Sequence, residues 1–246
     1  MALFKSGNPA LSDKQFEMVA QAGEQTMTSR GAVNKTFGLL AIVLLTGSFS
    51  WSFAASNPEL AQTISIGGAI AGFITALIII FKQTTAPYLA PLYAVFQGLF
   101  LGAISMFFDA MFEGIVTQAI MLTTGVLLVM LGLYKTGIIK VTEKFKMGLL
   151  AATGSVVMIY FLTFILGFFG VSIPYIHGSG TIGIAFSGIV IVIAALNLVL
   201  DFDFFEKGEQ MQLPQHMEWY GAFGLMVTLI WLYLEILRLL AKLRSR

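Results

Sequence analysis

The chain contains no cysteine, and only 11% of its 246 residues carry a charge. Without cysteine there is no disulfide framework, no thiolate metal site and no cysteine nucleophile. The scarcity of charge has the larger consequence. Ordinary soluble domains are about 25% charged and roughly 45–50% apolar, whereas this chain is 57% hydrophobic. A soluble domain of a few hundred residues still exposes about a quarter of its chain's surface, so it has too little interior for that much apolar material. A soluble enzyme, a nucleic-acid binder and a disordered scaffold are excluded together. What is present fits a polytopic membrane protein. The formal net charge of +1 names no partner, so the position of each charge has to be read in place of the total.

A membrane-crossing helix needs roughly 20 mostly apolar residues, and the charged residues cut the chain into windows of that size. Spans are predicted over 36–55, 64–81, 87–108 and 115–134. The stretch between Lys146 and Asp201 carries no charged residue and holds two more, near 147–170 and 181–200. Pro174, Gly178 and Gly180 mark the turn between them. The run from Trp219 to Leu240 is a seventh. Each is read as a helix, because an isolated strand would leave backbone polar groups unpaired in lipid. The expectation is an all-α membrane protein with a polar amino-terminal tail (1–35), a seven-helix transmembrane domain (36–241) and a basic tail (242–246). The first 35 residues lack the apolar core of a cleavable signal peptide. Residues 12–25 suit either a short interfacial helix or a solvated tail.

Lysine and arginine set orientation. Lys5, Lys14, Arg30 and Lys35 lie in the tail. Lys82 follows span two, Lys135, Lys140, Lys144 and Lys146 follow span four, and Lys207 follows span six. The alternate loops hold Glu59, then Asp109 and Glu113, then His177. This pattern predicts a multi-pass protein of the cytoplasmic membrane with a cytoplasmic amino terminus. Seven crossings would then place Lys242, Arg244 and Arg246 outside, against the same rule. Either the earlier spans fix the topology and the tail follows, or the last segment stops short.

Three membrane chemistries fail on a missing residue. Serine hydrolysis needs a histidine within a span, but His177 and His216 fall in loops. An intramembrane aspartyl protease needs a Gly-x-Gly-Asp segment, and retinal needs a lysine in the last span; neither is present. No enzyme activity and no resident cofactor are expected. The residues out of place are Asp201 and Asp203, directly after an uninterrupted apolar run, and Glu235 among leucines. An ionisable group at such depth marks a polar interior or an ion path by default. Plainer roles exist: the aspartates as water-facing residues at a helix end, Glu235 as a local ion pair with Arg238 three residues on. Asp201 and Asp203 point about 200° apart on a helix, so only one can face a given neighbour. An antiparallel hairpin turning near Gln212 puts Asp201 level with Phe223 and leaves Glu235 about 18 Å further on. Carboxylates that did approach would share protons and make the site pH-sensitive, and ionised they would hold a hard cation such as Ca²⁺. Lys82 is a possible latch for either aspartate, or simply snorkels to the headgroups. Gly98 and Gly102 form a GxxxG that lets two helices approach. Gln97, Ser105, Gln118 and Asn197 suit interhelical hydrogen bonds.

The segments MTSRGAVNKTFGLL, APLYAVFQGLFLGAIS, LNLVLDFDFFEKG and WLYLEILRLL, in this order, resemble the Bax inhibitor motif (TMBIM) family, most of all its bacterial YccA-like branch. The likeness runs from about Met27 onward. It implies seven helices with the last one central, and a pH-sensitive calcium leak channel with paired acids on helices six and seven. Carried over, Asp201 takes the place of the family's helix-six aspartate and Glu235 that of its helix-seven aspartate. Both would be transient Ca²⁺ ligands, with Ca²⁺ and protons as the partners besides the lipid bilayer. Two departures stand out: the second acid is glutamate, and the connection between the two helices is longer. The resemblance also implies an alternative, a membrane adaptor that binds and restrains another membrane protein such as a membrane protease. The polar tail and the GxxxG face would be its surfaces.

Overall fold

A computed structural model describes residues 25–169 and 178–245. Seven helices in it are long and apolar enough to cross a membrane, and they form a seven-helix membrane bundle. They are α1 (Ser29–Ser56), α2 (Pro58–Phe81), α3 (Ala86–Met111), α4 (Ile115–Lys135), α5 (Glu143–Phe168), α6 (Thr181–Gln210) and α7 (His216–Arg244), with a 3₁₀ turn, Gln83–Thr85, ahead of α3. Every predicted span is found. The predicted interfacial helix, apart from Gln25, and the turn residues Pro174 and His177 lie outside the described residues.

Helix ends differ from the apolar windows because capping chemistry, not hydropathy, sets them. α1 begins at Ser29, inside the predicted tail, because the Thr28 hydroxyl accepts from Gly31 N–H and caps it. α2 starts on Pro58 with Glu59 in its first turn, where the missing N–H and the negative charge both suit a helix amino terminus. α5 starts earlier than its apolar run because Thr142 caps Phe145 N–H. α4 closes on Gly137 at φ 70°, with Ile138 N–H reaching back to Leu133 O at 3.1 Å, a left-handed stop that glycine adopts without strain. α6 is the main correction. It runs ten residues beyond the predicted end, so Asp201 and Asp203 lie within the helix and not at its terminus.

The chain divides into two compact units: residues up to 110 together with 203–226, and residues 111–202 together with 227–246. In the first unit, α3 packs on α1 through its small residues. A Cβ on Gly98 would sit 2.8 Å from Val43 O, and one on Gly102 would sit 2.8 Å from the Ser50 Cβ and overlap Gly47 O. The Ser50 hydroxyl donates to Leu99 O at 2.7 Å. The GxxxG face therefore packs against α1 and is not an outward surface for a partner. In the second unit, Asn197 on α6 donates to Thr153 Oγ1 on α5 at 2.8 Å, an interhelical bond of the expected kind. Gln118 is exposed on α4 and makes no such link.

α7 is the most enclosed helix: 61% of its apolar window is buried, against 11–50% for the others. That burial profile is what a central last helix requires. The other helices turn large side chains such as Phe37, Leu45, Phe81 and Phe164 outward, as lipid-facing surfaces do. α7 also runs its full length. In the second unit its last turn reaches the α3–α4 turn, where Arg244 Nη1 donates to Glu113 O at 2.7 Å. Beside it, Lys242 Nζ donates to Gly183 O at 3.0 Å and to Ser187 Oγ at 2.9 Å, at the start of α6. The last segment is thus one continuous helix long and apolar enough to cross a membrane.

Candidate functional site: buried carboxylates of the last two helices

The second unit contains Asp201 and Glu235. Asp201 lies within reach of the Thr228 side chain of α7, while its Oδ2 is buried without a hydrogen-bond partner. Glu235 is only 1% exposed. Its Oε1 accepts from the Tyr160 hydroxyl of α5 at 2.9 Å and from Arg238 Nη1 at 3.0 Å. Its Oε2, like Asp201 Oδ2, has no partner. Each acid is half satisfied, which is costly inside a protein unless the open oxygen has a use.

The expected register needs adjustment. Asp201 meets Thr228, not Phe223. With α6 ending at Gln210 and α7 starting at His216, the hairpin is centred near Leu213, one residue later than Gln212. Helical side chains also lean toward their own amino terminus, so a residue further along α7 covers the level of Asp201. Gln212 does sit in the turn, in the left-handed region at φ 51°. Glu235 is seven residues beyond Thr228, or about 10.5 Å along the axis and nearly on the same stripe. The partners shown for Glu235 are Tyr160 and Arg238 and the one shown for Asp201 is Thr228, so the two acids do not hold each other directly. The Glu235–Arg238 ion pair, by contrast, is present.

Asp203 belongs to the first unit, where it is buried and pairs with Lys207 one turn on, at 2.8 Å. Lys82 caps the end of α2 in an exposed position, and the cation that holds Asp203 is Lys207. Among the described residues, no group of three or more histidine and acid side chains gathers into a metal site.

The first unit also contains a buried acid that the sequence did not single out. Glu218, 3% exposed in the first turn of α7, accepts from Thr28 N–H at 2.8 Å and from the Thr28 hydroxyl at 2.9 Å on Oε1. Its Oε2 is paired with Lys35 Nζ, which also lies 5.4 Å from the Trp219 ring centroid. A Cβ on Gly31 would overlap this carboxylate. Nearby, Met27 N–H donates to Leu213 O at 2.7 Å and Gln215 N–H to Gln25 O at 3.0 Å. The segment ahead of α1 is therefore clasped to the α6–α7 turn. Glu218 lies just before the predicted seventh span and reads as a loop charge; its partners Thr28 and Lys35 lie 190 and 183 positions away in the chain, a pairing that spacing cannot reveal.

The family description "Bax inhibitor 1 like" matches residues 8–245 of the sequence. No curated protein sequence matches the chain, and neither does any solved structure.

Proposed function

The chain belongs to the Bax inhibitor 1 like family, and on that footing we propose that it is a pH-sensitive calcium leak channel of the cytoplasmic membrane, with its amino terminus in the cytoplasm. One observation carries the reading: in the last two helices, Asp201 and Glu235 each keep one buried carboxylate oxygen without a hydrogen-bond donor. Buried acid in a transmembrane helix has a high energetic cost, and an ion path is its usual reason. A hard cation takes oxygen ligands. A single carboxylate oxygen at each level binds weakly enough for the ion to leave, as conduction demands. Protonation of either acid removes the charge that attracts the cation, so flux depends on pH. The orientation rests on the alternation of basic and acidic loops.

The test is calcium entry into liposomes containing the purified protein, read with an enclosed dye across a pH series. Wild-type vesicles should pass calcium, with a pH dependence that Asp201→Asn and Glu235→Gln flatten. If neither substitution alters flux or its profile, the acids do not gate. No flux from wild-type vesicles refutes the channel and favours the adaptor reading.

A further inference from the structure

Several cations of the bundle are engaged within the fold. Lys35 holds Glu218, Lys207 holds Asp203 and Arg238 holds Glu235, while Lys242 and Arg244 donate to carbonyl and hydroxyl oxygens. The connection between α4 and α5 is different. Lys135, Lys140, Lys144 and Lys146 crowd into residues 135–146, with Glu143 as the single acid. Lys146 takes that acid at 3.5 Å. Lys135, Lys140 and Lys144 are exposed, and each lacks an ion-pair partner among the described residues. Lys144 also sits in the first turn of α5, where the helix dipole opposes positive charge. The fold therefore does not account for this charge. We infer that the α4–α5 connection is a docking surface for anionic phospholipid headgroups, with Ile138 as its apolar anchor. Such a surface requires only a bilayer around the seven spans, and it stands or falls apart from the leak.

The connection is shaped as well as charged. Gly137 N–H donates to Tyr134 O at 3.0 Å, and the N–H groups of Ile138 and Ile139 both donate to Leu133 O, at 3.1 and 3.3 Å. Thr142 N–H donates to Lys140 O at 3.1 Å. This backbone holds Ile138 outward, 71% exposed, with Lys135 and Lys140 on either side in the chain. Only residues 136–142 separate the two helices, so the connection lies where both spans leave the bilayer, at the level of the headgroups. There an apolar side chain enters the interface, while lysines extend along their aliphatic stems to the phosphates. A cluster of four or more lysines beside a span is attracted to anionic lipid. A soluble phosphate would use the charge but not Ile138, and for that reason the occupant is the lipid.

The test titrates phosphatidylglycerol, with phosphatidylcholine as the reference, into the full chain in neutral detergent and counts bound lipid by native mass spectrometry. Phosphatidylglycerol should bind the wild type more tightly, and its advantage should shrink as the ammonium acetate concentration rises. Lys140→Gln and Lys144→Gln should each weaken phosphatidylglycerol about fivefold, the worth of one lysine near an anionic surface, and leave phosphatidylcholine unchanged. Lys140→Arg keeps the charge and should bind as the wild type does. Ile138→Ser should weaken both lipids alike. Lys82→Gln, at the exposed lysine that ends α2, should change neither. Equal affinity for the two lipids overturns the inference. So does a loss in Lys82→Gln as large as those in the connection, which would mean diffuse attraction to any exposed lysine. Displacement of the lipid by millimolar inorganic phosphate, or an Ile138→Ser variant that binds as the wild type does, would overturn the lipid as occupant.

Discussion

Replacing Glu218 with alanine should destabilise the protein by about 3–5 kcal/mol, the cost of breaking a buried ion pair from one side. The magnitude follows from what is left behind. Lys35 keeps a side chain only 19% exposed and loses its counter-charge, while Thr28 N–H and its hydroxyl lose their shared acceptor. These losses overlap in one node, so they are not summed. For a chain of this size each kcal/mol moves the midpoint by roughly 2–4 °C, which gives a drop of about 6–20 °C in a thermal melt of detergent-solubilised protein. The change is expected to arise mainly from the stranded lysine. A Lys35→Met and Glu218→Gln double variant, with no charge and one acceptor for Thr28, should therefore recover most of the loss, since neutral replacements of buried pairs are often tolerated. If Glu218→Ala falls within the ±0.5 kcal/mol of an ordinary surface change, or the double variant melts no higher than the single, the node does not hold the clasp.

Gly31→Ala should reproduce part of that effect in the same melt, because its Cβ would occupy the space of the Glu218 carboxylate. Gly102→Ala should cost about 1–3 kcal/mol by overpacking against the α1 backbone, whereas Gly125→Ala, with open space around it, should be neutral or slightly stabilising; equal effects of the two would refute the close packing of α1 and α3. Asn197→Ala should cost about 0.6 kcal/mol, near the mean for interhelical hydrogen bonds in membranes, and a loss above about 2 kcal/mol would mean the Thr153 bond is not its main role. A reporter fused after Arg246 should be read on the side opposite one fused at the amino terminus; the same side for both would contradict seven crossings.

The spans were legible because each apolar run is bounded by charge, and lipid permits few alternatives to a helix. The GxxxG was equally readable, since only small residues let backbones approach as Gly98 and Gly102 do. Helix ends were less so: Thr28 and Thr142 cap turns that lie in polar sequence, where a hydropathy window has already stopped. Register was off by a few residues because the hairpin centre and the lean of helical side chains act together, and neither shows in composition. Glu218 and Tyr160 were not legible at all. A glutamate before a span and a tyrosine among aliphatics are ordinary, and they become a clasp and a holder only when Thr28, Lys35 and Glu235 are brought to them by the fold.

The basic tail, which seemed to contradict the orientation rule, is reconciled by the same reasoning. The rule is a bias of lysine and arginine counted over short loops and span ends, and the first spans usually dominate it. Lys242 and Arg244 are both hydrogen-bonded within the second unit. One donates to a backbone carbonyl and a hydroxyl at the start of α6, the other to the Glu113 carbonyl, and both lie in the last turn of α7, where the helix dipole favours positive charge. Their role is to tie the end of α7 to the turns beside it, on the side where the α3–α4 connection also emerges. Both keep their positive charge, and what outweighs them is the larger cluster of Lys135, Lys140 and Lys144 between α4 and α5 together with the spans that precede them. A seventh span that ends in basic residues is thus compatible with the alternation of the earlier loops, and Glu235 lies within the helix of that span.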